Sequence, residues 1–372
     1  MRTFLVTGGA GFIGSHFVRM LLRERSDAFV ANVDALTYAA APCNPTDVED
    51  DGRYAFVRAD VRDADAMRAA FARYRPDVVV HFAAESHVDR SIADPMLFQD
   101  VNVGGTATLL EAARGAWACD EGGEGRLFVH VSTDEVYGDL PFEPADATGS
   151  SDAFREDAPL RPRSPYAASK AAAEMFVRAY GETYGLPAII VRCSNNYGPR
   201  QHAEKLIPKA ISCALAGKPL PLYGSGRNVR DWLYVDDCCR GILAAARKGR
   251  PGEAYNLGGA CPVSNGSLLL VLQDELRTAS AGRLSLGFEH VADRLGHDRR
   301  YAMDCKKRPP SWDGVRRPHF AGLRSTVAWY LARAGADAQR RRGCDAARIP
   351  EAASCAGRTA PDPEVVRYFG EA

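Results

Sequence analysis

The sequence predicts an α/β protein, a doubly wound parallel sheet with a smaller α/β lobe beside it. Three observations carry this. Short β-branched or apolar runs alternate with helical patterns through the first half of the chain. A glycine-rich stretch, residues 8–14, joins the first such run to the first helical pattern. The chain has 372 residues, which at about 150 per domain leaves room for a second lobe beyond the alternating part.

Taken in order, strands are expected at 3–7, 29–34, 54–59, 77–83, 127–132 and 188–193, where Val, Ile, Phe, Leu and Ala cluster. Helices are expected between most of them, at 15–25, 65–74, 103–115 and 166–184. Beyond Tyr197 the pattern loosens, with Pro and Gly concentrated at 217–226; a helical pattern resumes at 231–247 and a strand at 254–257. The expected division is therefore discontinuous. Residues 1–192 with about 229–259 form the sheet domain, and about 193–228 with 260–333 form the lobe. From about 334 to 372 the chain is Ala/Arg-rich, carries Pro350, Pro361 and Pro363, and reads as a poorly specified tail.

Hydrophobic residues make up 46% of the chain and charged ones 25%, enough for a sizeable core. Lys and Arg number 47 and so do Asp and Glu, so no net field favours nucleic acid or an anionic membrane surface. No apolar run approaches the ~20 residues of a membrane span. Residues 1–15 lack the basic stretch and cleavage site of a leader, and a soluble cytoplasmic protein is expected. The 10 cysteines are scattered without a CxxC pair, so no metal site is expected.

Gly8, Gly11 and Gly14 give the GxxGxxG spacing of a Rossmann-type turn, which admits a pyrophosphate close to the backbone and opens the helix that follows. Asp34 lies 20 residues beyond Gly14 at the end of the second expected strand. A carboxylate there accepts from the ribose hydroxyls and repels a 2′-phosphate, which selects NAD over NADP. Tyr166 and Lys170 stand four apart on one expected helix face, so the ammonium is expected to lower the Tyr166 phenol and to bind the nicotinamide ribose. Thr133, Asp134 and Glu135 end the fifth expected strand, the edge of such sheets where ligands sit. They offer a hydroxyl to polarise a carbonyl, an acid and a base.

With these motifs in place, the chain resembles the dTDP-glucose 4,6-dehydratases, extended members of the short-chain dehydrogenase/reductase superfamily. The resemblance runs in order over about residues 1–307, through TGGAGFIG at 7–14, DALTYA at 34–39, AAESHVDRS at 83–91 and STDEVYG at 132–138. It continues with YAASK at 166–170, SNNYGP at 194–199, KLIP at 205–208, RDWLYV at 230–235 and GHDRRY at 296–301. It implies an NAD-dependent hydro-lyase that oxidises, dehydrates and reduces a dTDP-glucose-like nucleotide sugar while keeping its cofactor. Tyr166 would be the base at the sugar 4-hydroxyl, Glu135 the base at C5, Asp134 the acid for the departing C6 hydroxyl and Thr133 a hydrogen-bonding partner of the C4 oxygen, with Lys170 completing the catalytic group.

The resemblance also implies cofactor contacts. In the first half of the sheet these are Gly8, Gly11, Phe12, Ile13, Gly14, Asp34, Ala35, Leu36 and Thr37. Further along they are Asp60, Val61, Ala83, Ser86, Tyr166, Lys170 and Asn196. Substrate contacts would be Ser86, Thr133, Asn195, Lys205, Leu206, Pro221 and Tyr223, then Arg230 as a diphosphate clamp, with Asn265, Asp293 and His297. Family members are commonly homodimers built on two long helices per subunit, here 103–115 and 166–184.

Three departures stand out. Val101 takes the place of a usual Thr beside Asn102, Leu295 replaces a Pro before Gly296, and the segment after Lys307 diverges. The motifs leave the nucleobase open, so another NDP-glucose is an alternative substrate, and an idle NAD-binding scaffold is the alternative from another class.

Overall fold

A computed structural model describes residues 2–41, 44, 46–118, 125–141, 153–307 and 320–346, with side chains described to residue 336. The chain divides into two compact units, residues 1–330 and residues 331–372. The described part of the second unit is helical, 331–346.

Seven parallel strands form the main sheet. They are β1 Arg2–Thr7, β2 Ala28–Asp34, β3 Tyr54–Arg58, β4 Val78–His81, β5 Leu127–Thr133, β6 Ala188–Cys193 and β10 Ala254–Leu257. Their spatial order is β10-β6-β5-β4-β1-β2-β3, so the order reverses between β1 and β4. A crevice at the carboxyl ends beside that reversal is where such sheets bind ligands. Helices α1 Phe12–Glu24, α2 Ala64–Tyr74, α5 Gly105–Ala118, α6 Pro165–Tyr184 and α8 Val235–Lys248 cover the sheet, α2, α5 and α6 packing together and α1 against α8. Because both faces are covered, the inner strands read as unbroken apolar runs, and Val78, Val79 and Val80 of β4 are all fully buried. One core cluster joins Leu5, Val79, Phe128 and Ile190 of the sheet to Met67, Phe71, Leu109 and Val177 of the helices.

Beyond β6 the chain builds two small sheets. Strand β9 Val229–Tyr234 pairs with β7 Asn195–Tyr197 and β11 Pro262–Ser264, and β8 Leu220–Tyr223 pairs with β12 Phe288–Val291. Helices α7 Leu206–Ala216 and α9 Asn265–Ala279 pack on one another here. The helix expected at 231–247 is corrected by this arrangement: residues 231–234 belong to β9, because Asp231, Trp232, Leu233 and Tyr234 are all buried between two strand partners, and the helix starts at Val235. The Pro/Gly-rich 217–226 contains a real strand, β8, paired with β12. The tail reading is corrected as well, since α10 Ala321–Ala346 runs past residue 334 and leaves 347–372 outside the described residues. Short helices α3 Val88–Ala93 and α4 Pro95–Phe98 and a π-helical turn Gln99–Gly104 precede α5, none of them expected from periodicity.

Candidate active site

The sheet's carboxyl edge opens into a cavity of about 530 Å³. At its floor the turn after β1 is fixed by two glycines. Gly8 has φ +73°, and a Cβ there would lie 2.7 Å from the Ala83 amide nitrogen; a Cβ on Gly14 would collide with the Gly8 carbonyl oxygen. Helix α1 therefore packs directly on the turn, with Gly11 as an N-cap that has no side chain to satisfy the first-turn amides. Asn32 holds the turn from the side, accepting from Gly9 N at 3.0 Å while its Nδ2 donates to Tyr54 OH at 2.9 Å. Asp34, at the end of β2, accepts from Ala10 N at 2.9 Å and Leu36 N at 2.8 Å. Burial pushes its carboxyl up, and those two amides oppose the shift. Leu36 takes the left-handed conformation, φ +55°, in the turn that its contact with Asp34 closes.

On the other side of the cavity β5 ends in Thr133, and a 3₁₀ turn, Asp134–Tyr137, projects the carboxylates. Thr133 Oγ1 accepts from Glu135 N at 3.3 Å and donates to Asp134 Oδ1 at 3.3 Å. Burial, then the Glu135 and Asp231 charges, hold the Asp134 carboxyl well above the usual carboxylate range. Its Oδ2 is buried with no partner among the described residues. A carboxyl so placed is biased toward its protonated form. Burial raises Glu135 too, but Lys205, Arg230 and Arg294 pull it back, which favours a usable base.

The turn is anchored from behind. Arg192 and Glu174, 1% and 0% exposed, form an ion pair at 2.6 Å, and Arg192 Nη1 donates to Tyr137 OH at 2.6 Å. Tyr137 OH in turn donates to Asn256 Oδ1 at 2.7 Å on β10. Asp134 and Glu135 thus sit on a turn gripped by three elements of the sheet domain.

Helix α6 starts at Pro165, capped by Ser164 accepting from Ala167 N, and carries Tyr166 and Lys170 into the same cavity. The expected lowering of Tyr166 by its lysine is corrected here. Lys170 Nζ donates to the Val131 carbonyl at 2.7 Å, and burial followed by the Glu135 and Asp134 charges pushes the phenol up, opposed by a hydrogen bond from Thr133. Burial lowers Lys170 itself to about 8.

The cavity gathers most of the expected residues: Gly8, Gly11, Phe12, Ile13, Gly14, Asp34, Ala35, Thr37, Asp60, Val61, Ala83, Ser86, the five catalytic candidates, Asn195, Asn196 and Lys205 all line it. Leu36, Leu206, Pro221, Tyr223, Arg230, Asn265 and Asp293 lie outside its lining, and His297 lines a second cavity of about 650 Å³ with Asp139, Arg161 and Arg163. Arg230 is buried, with Nη2 donating to the Asp298 carbonyl at 2.9 Å and its guanidinium 4.4 Å from the Tyr301 ring. His297 Nδ1 lies 2.6 Å from Asp293 Oδ1.

A dinucleotide fits this donor set. Ser132 Oγ, Ser194 Oγ, Asn195 Oδ1, Asn196 Oδ1 and Gln201 Oε1 are buried on the lining with no partner among the described residues. The glycine cradle and the free first turn of α1 suit a diphosphate, and Asp34 suits a ribose.

A sequence profile described as GDP-mannose 4,6 dehydratase matches residues 5–309. A dTDP-glucose 4,6-dehydratase of Shigella flexneri is 48% identical over 335 residues, covering 88% of this chain and 92% of that protein. The chain belongs to the dTDP-glucose 4,6-dehydratase family. Among solved structures, a dTDP-glucose 4,6-dehydratase from Streptomyces venezuelae with NAD and TYD bound superposes with a TM-score of 0.78 at 45% identity, covering 90% of this chain and 98% of that one. A UDP-glucose 4-epimerase of Thermus thermophilus in complex with NAD superposes at 0.74 with 31% identity, covering 88% and 99%.

Two of the departures from the family pattern lie among the described residues, while residues 308–319 after Lys307 lie outside them. Val101 lines the cavity beside Asn102, whose side chain binds the Glu85 backbone at 2.9 Å and Ser169 Oγ at 2.8 Å and so ties α6 to the loop after β4. Leu295 is 77% exposed, which removes packing from the loop that holds His297. Sequence reasoning missed Asn32, Arg192 and Glu174. Asn32 alone left a legible signal, a polar residue inside an apolar strand run two positions before Asp34.

Proposed function

We propose that the chain converts dTDP-glucose to dTDP-4-keto-6-deoxyglucose and water, using NAD that it keeps throughout. The observation that carries this is the placing of two buried carboxyls, Asp134 and Glu135, at the end of β5 beside Tyr166 and Lys170 in one dinucleotide-shaped cavity, with burial biasing Asp134 toward its protonated form. Gly8 to Gly14, Asp34, Thr37, Asp60, Ser86, Lys170 and Asn196 would hold the cofactor. When bound, NAD supplies a reversible two-electron acceptor for the sugar.

Tyr166 takes the proton of the 4-hydroxyl, and Thr133 holds the C4 oxygen as it becomes a carbonyl. Burial and the negative surroundings that raise the phenol favour its protonated form, and NAD, when held by these residues, would supply positive charge that opposes them. Once C4 is a ketone, its carbonyl acidifies the C5 proton, which Glu135 removes. Asp134 protonates the C6 hydroxyl as it departs. Lys205 and Arg230 oppose the rise that burial causes in the Glu135 carboxyl, and Arg230 would have to release its bonds to the Val229 and Asp298 carbonyls to clamp a diphosphate. About residues 193–228 with 260–333 are the proposed nucleotide-sugar lobe.

We also infer a homodimer built on α5 and α6, because Met175, Phe176 and Tyr184 of α6 are exposed. A cytoplasmic location is supported by the six described cysteines, all free although Cys193 and Cys238 place their sulfurs 3.5 Å apart. Among the described residues no helix is long and apolar enough to cross a membrane.

The test is incubation of the purified protein with dTDP-glucose and, in parallel, UDP-glucose. The 4-keto-6-deoxy product forms faster from dTDP-glucose; absence of product from a folded, NAD-loaded chain refutes the assignment.

A further inference from the structure

Three segments on the cavity wall are joined by a closed ring of side chains that the reaction itself does not use. Tyr38 comes from the segment after β2, Arg90 from α3 after β4, and His202 and Glu204 from the segment after β7. The Arg90 guanidinium stacks on Tyr38, 3.7 Å from the ring centre. Its Nη2 reaches Glu204 Oε1 at 2.9 Å. His202 Nδ1 accepts from the Glu204 backbone N–H at 3.4 Å, and the His202 ring closes the circle edge-on to Tyr38 at 5.8 Å. Further ties run across it: Tyr38 OH donates to Glu85 Oε2 at 2.9 Å, His87 Nε2 meets Glu204 Oε2 at 3.3 Å, and Lys205 Nζ donates to the Ser86 carbonyl at 3.0 Å.

Their neighbours, or the residues themselves, line the cavity: Thr37, Ala39, Glu85, Ser86, Gln201 and His202. The ring members are part-exposed, with the Arg90 and Glu204 side chains 46% and 34% accessible, so the ring lies at the outer margin of the site. Thr37 and Gln201 both line the cavity, and the segments that carry them are among those the ring joins.

We propose that Tyr38, Arg90, His202 and Glu204 form a clasp that sets how slowly the dinucleotide leaves. This rests on the reading of the cavity as an NAD site. A catalyst that regenerates its cofactor in every cycle gains nothing from cofactor exchange, so a closed margin costs it no turnover. None of the four touches the acid, the base or Tyr166 in the contacts that build the catalytic turn, and opening the ring leaves the chemistry intact.

The experiment uses the holoprotein as purified, mixed with excess isotope-labelled NAD, with the labelled fraction on the desalted protein followed by mass spectrometry. Glu204→Ala and Tyr38→Leu each exchange about 2- to 10-fold faster than the parent, the range for losing a part-exposed ion pair or a cation–π contact. Because breaking any link opens the ring, the double variant exchanges more slowly than the product of the two single effects predicts. Raising the salt concentration speeds exchange in the parent and has less effect in Glu204→Ala. Turnover of dTDP-glucose by the loaded variants stays within about twofold of the parent, as expected for groups outside the reacting atoms. Parent-rate exchange in both single variants, in protein that is loaded and active, overturns the clasp and leaves the NAD site standing. A chain that neither carries nor takes up NAD overturns both.

Discussion

Replacing Glu135 by Gln separates oxidation from elimination. The amide keeps the size of the side chain and removes the base. Glu135 is also the largest electrostatic contributor, after burial, to the raised Tyr166 phenol and the raised Asp134 carboxyl. Its neutralisation therefore lowers both, making Tyr166 a readier base and leaving C4 oxidation unimpaired. Loss of a general base costs ~10² to 10⁴ in the step it serves. At about 1.36 kcal/mol per factor of ten, that raises the elimination barrier by about 2.7 to 5.4 kcal/mol. Reduced dinucleotide and a 4-keto-glucose nucleotide then accumulate in a single turnover in deuterium oxide, with no deuterium at C5. Asp134→Asn gives the complementary pattern, in which Glu135 still exchanges the C5 proton but water loss is slow. Normal C5 exchange in Glu135→Gln, or parent-rate water loss in Asp134→Asn, refutes the assignment of base and acid at the end of β5.

Asp34→Ala removes a carboxylate that fastens the glycine turn through Ala10 N and Leu36 N as well as its ribose contact, and hydrogen bonds to a charged group are worth ~1.5–3 kcal/mol. NAD affinity falls by about 10- to 100-fold in a fluorescence titration, while turnover at saturating cofactor stays near the parent, and unchanged affinity contradicts the role. Lys170, lowered by burial to about 8, is charged below that pH and loses its proton above it. The alkaline limb of the turnover profile falls as pH rises through about 8, and Lys170→Arg, which stays charged, carries the limb to higher pH; an unmoved limb assigns it to another group. Arg192→Met leaves Glu174 charged and unpaired in the core and costs about 3–5 kcal/mol, read as a fall in the urea midpoint. Adding Glu174→Leu recovers much of that loss, and failure to recover shows that the pair's other hydrogen bonds, not its charge balance, matter.

Residues that act through local geometry were legible in the sequence. The glycine spacing, Asp34 at a strand end, Thr133 to Glu135 after an apolar run, and Tyr166 and Lys170 one helical turn apart each imply a position on a regular element. The sheet's parallel order then puts all of them on one edge, and the structure gathers them in one cavity. Local pattern failed at 231–234, where a run compatible with a helix becomes a strand because β7 and β11 lie on either side of it. It failed also at Tyr166, since spacing shows that a lysine is near and says nothing of the Val131 carbonyl that binds it or of the carboxylates opposite.

By itself, then, the order of residues determined the fold class and the family and pointed to the residues proposed as reacting groups, because those depend on periodicity and on short motifs within a single strand–turn–helix unit. Tertiary structure alone decided the upward shift of the Asp134 and Glu135 carboxyls, the grip of Arg192 and Glu174 on the turn that carries them, and the ring that joins Tyr38 to Glu204. Each of these depends on burial and on charges brought together from residues 18 to 166 positions apart in the chain, as Arg192 is from Glu174 and Glu204 is from Tyr38. Desolvation and Coulomb energy follow distance in space, and only the closed fold sets that distance.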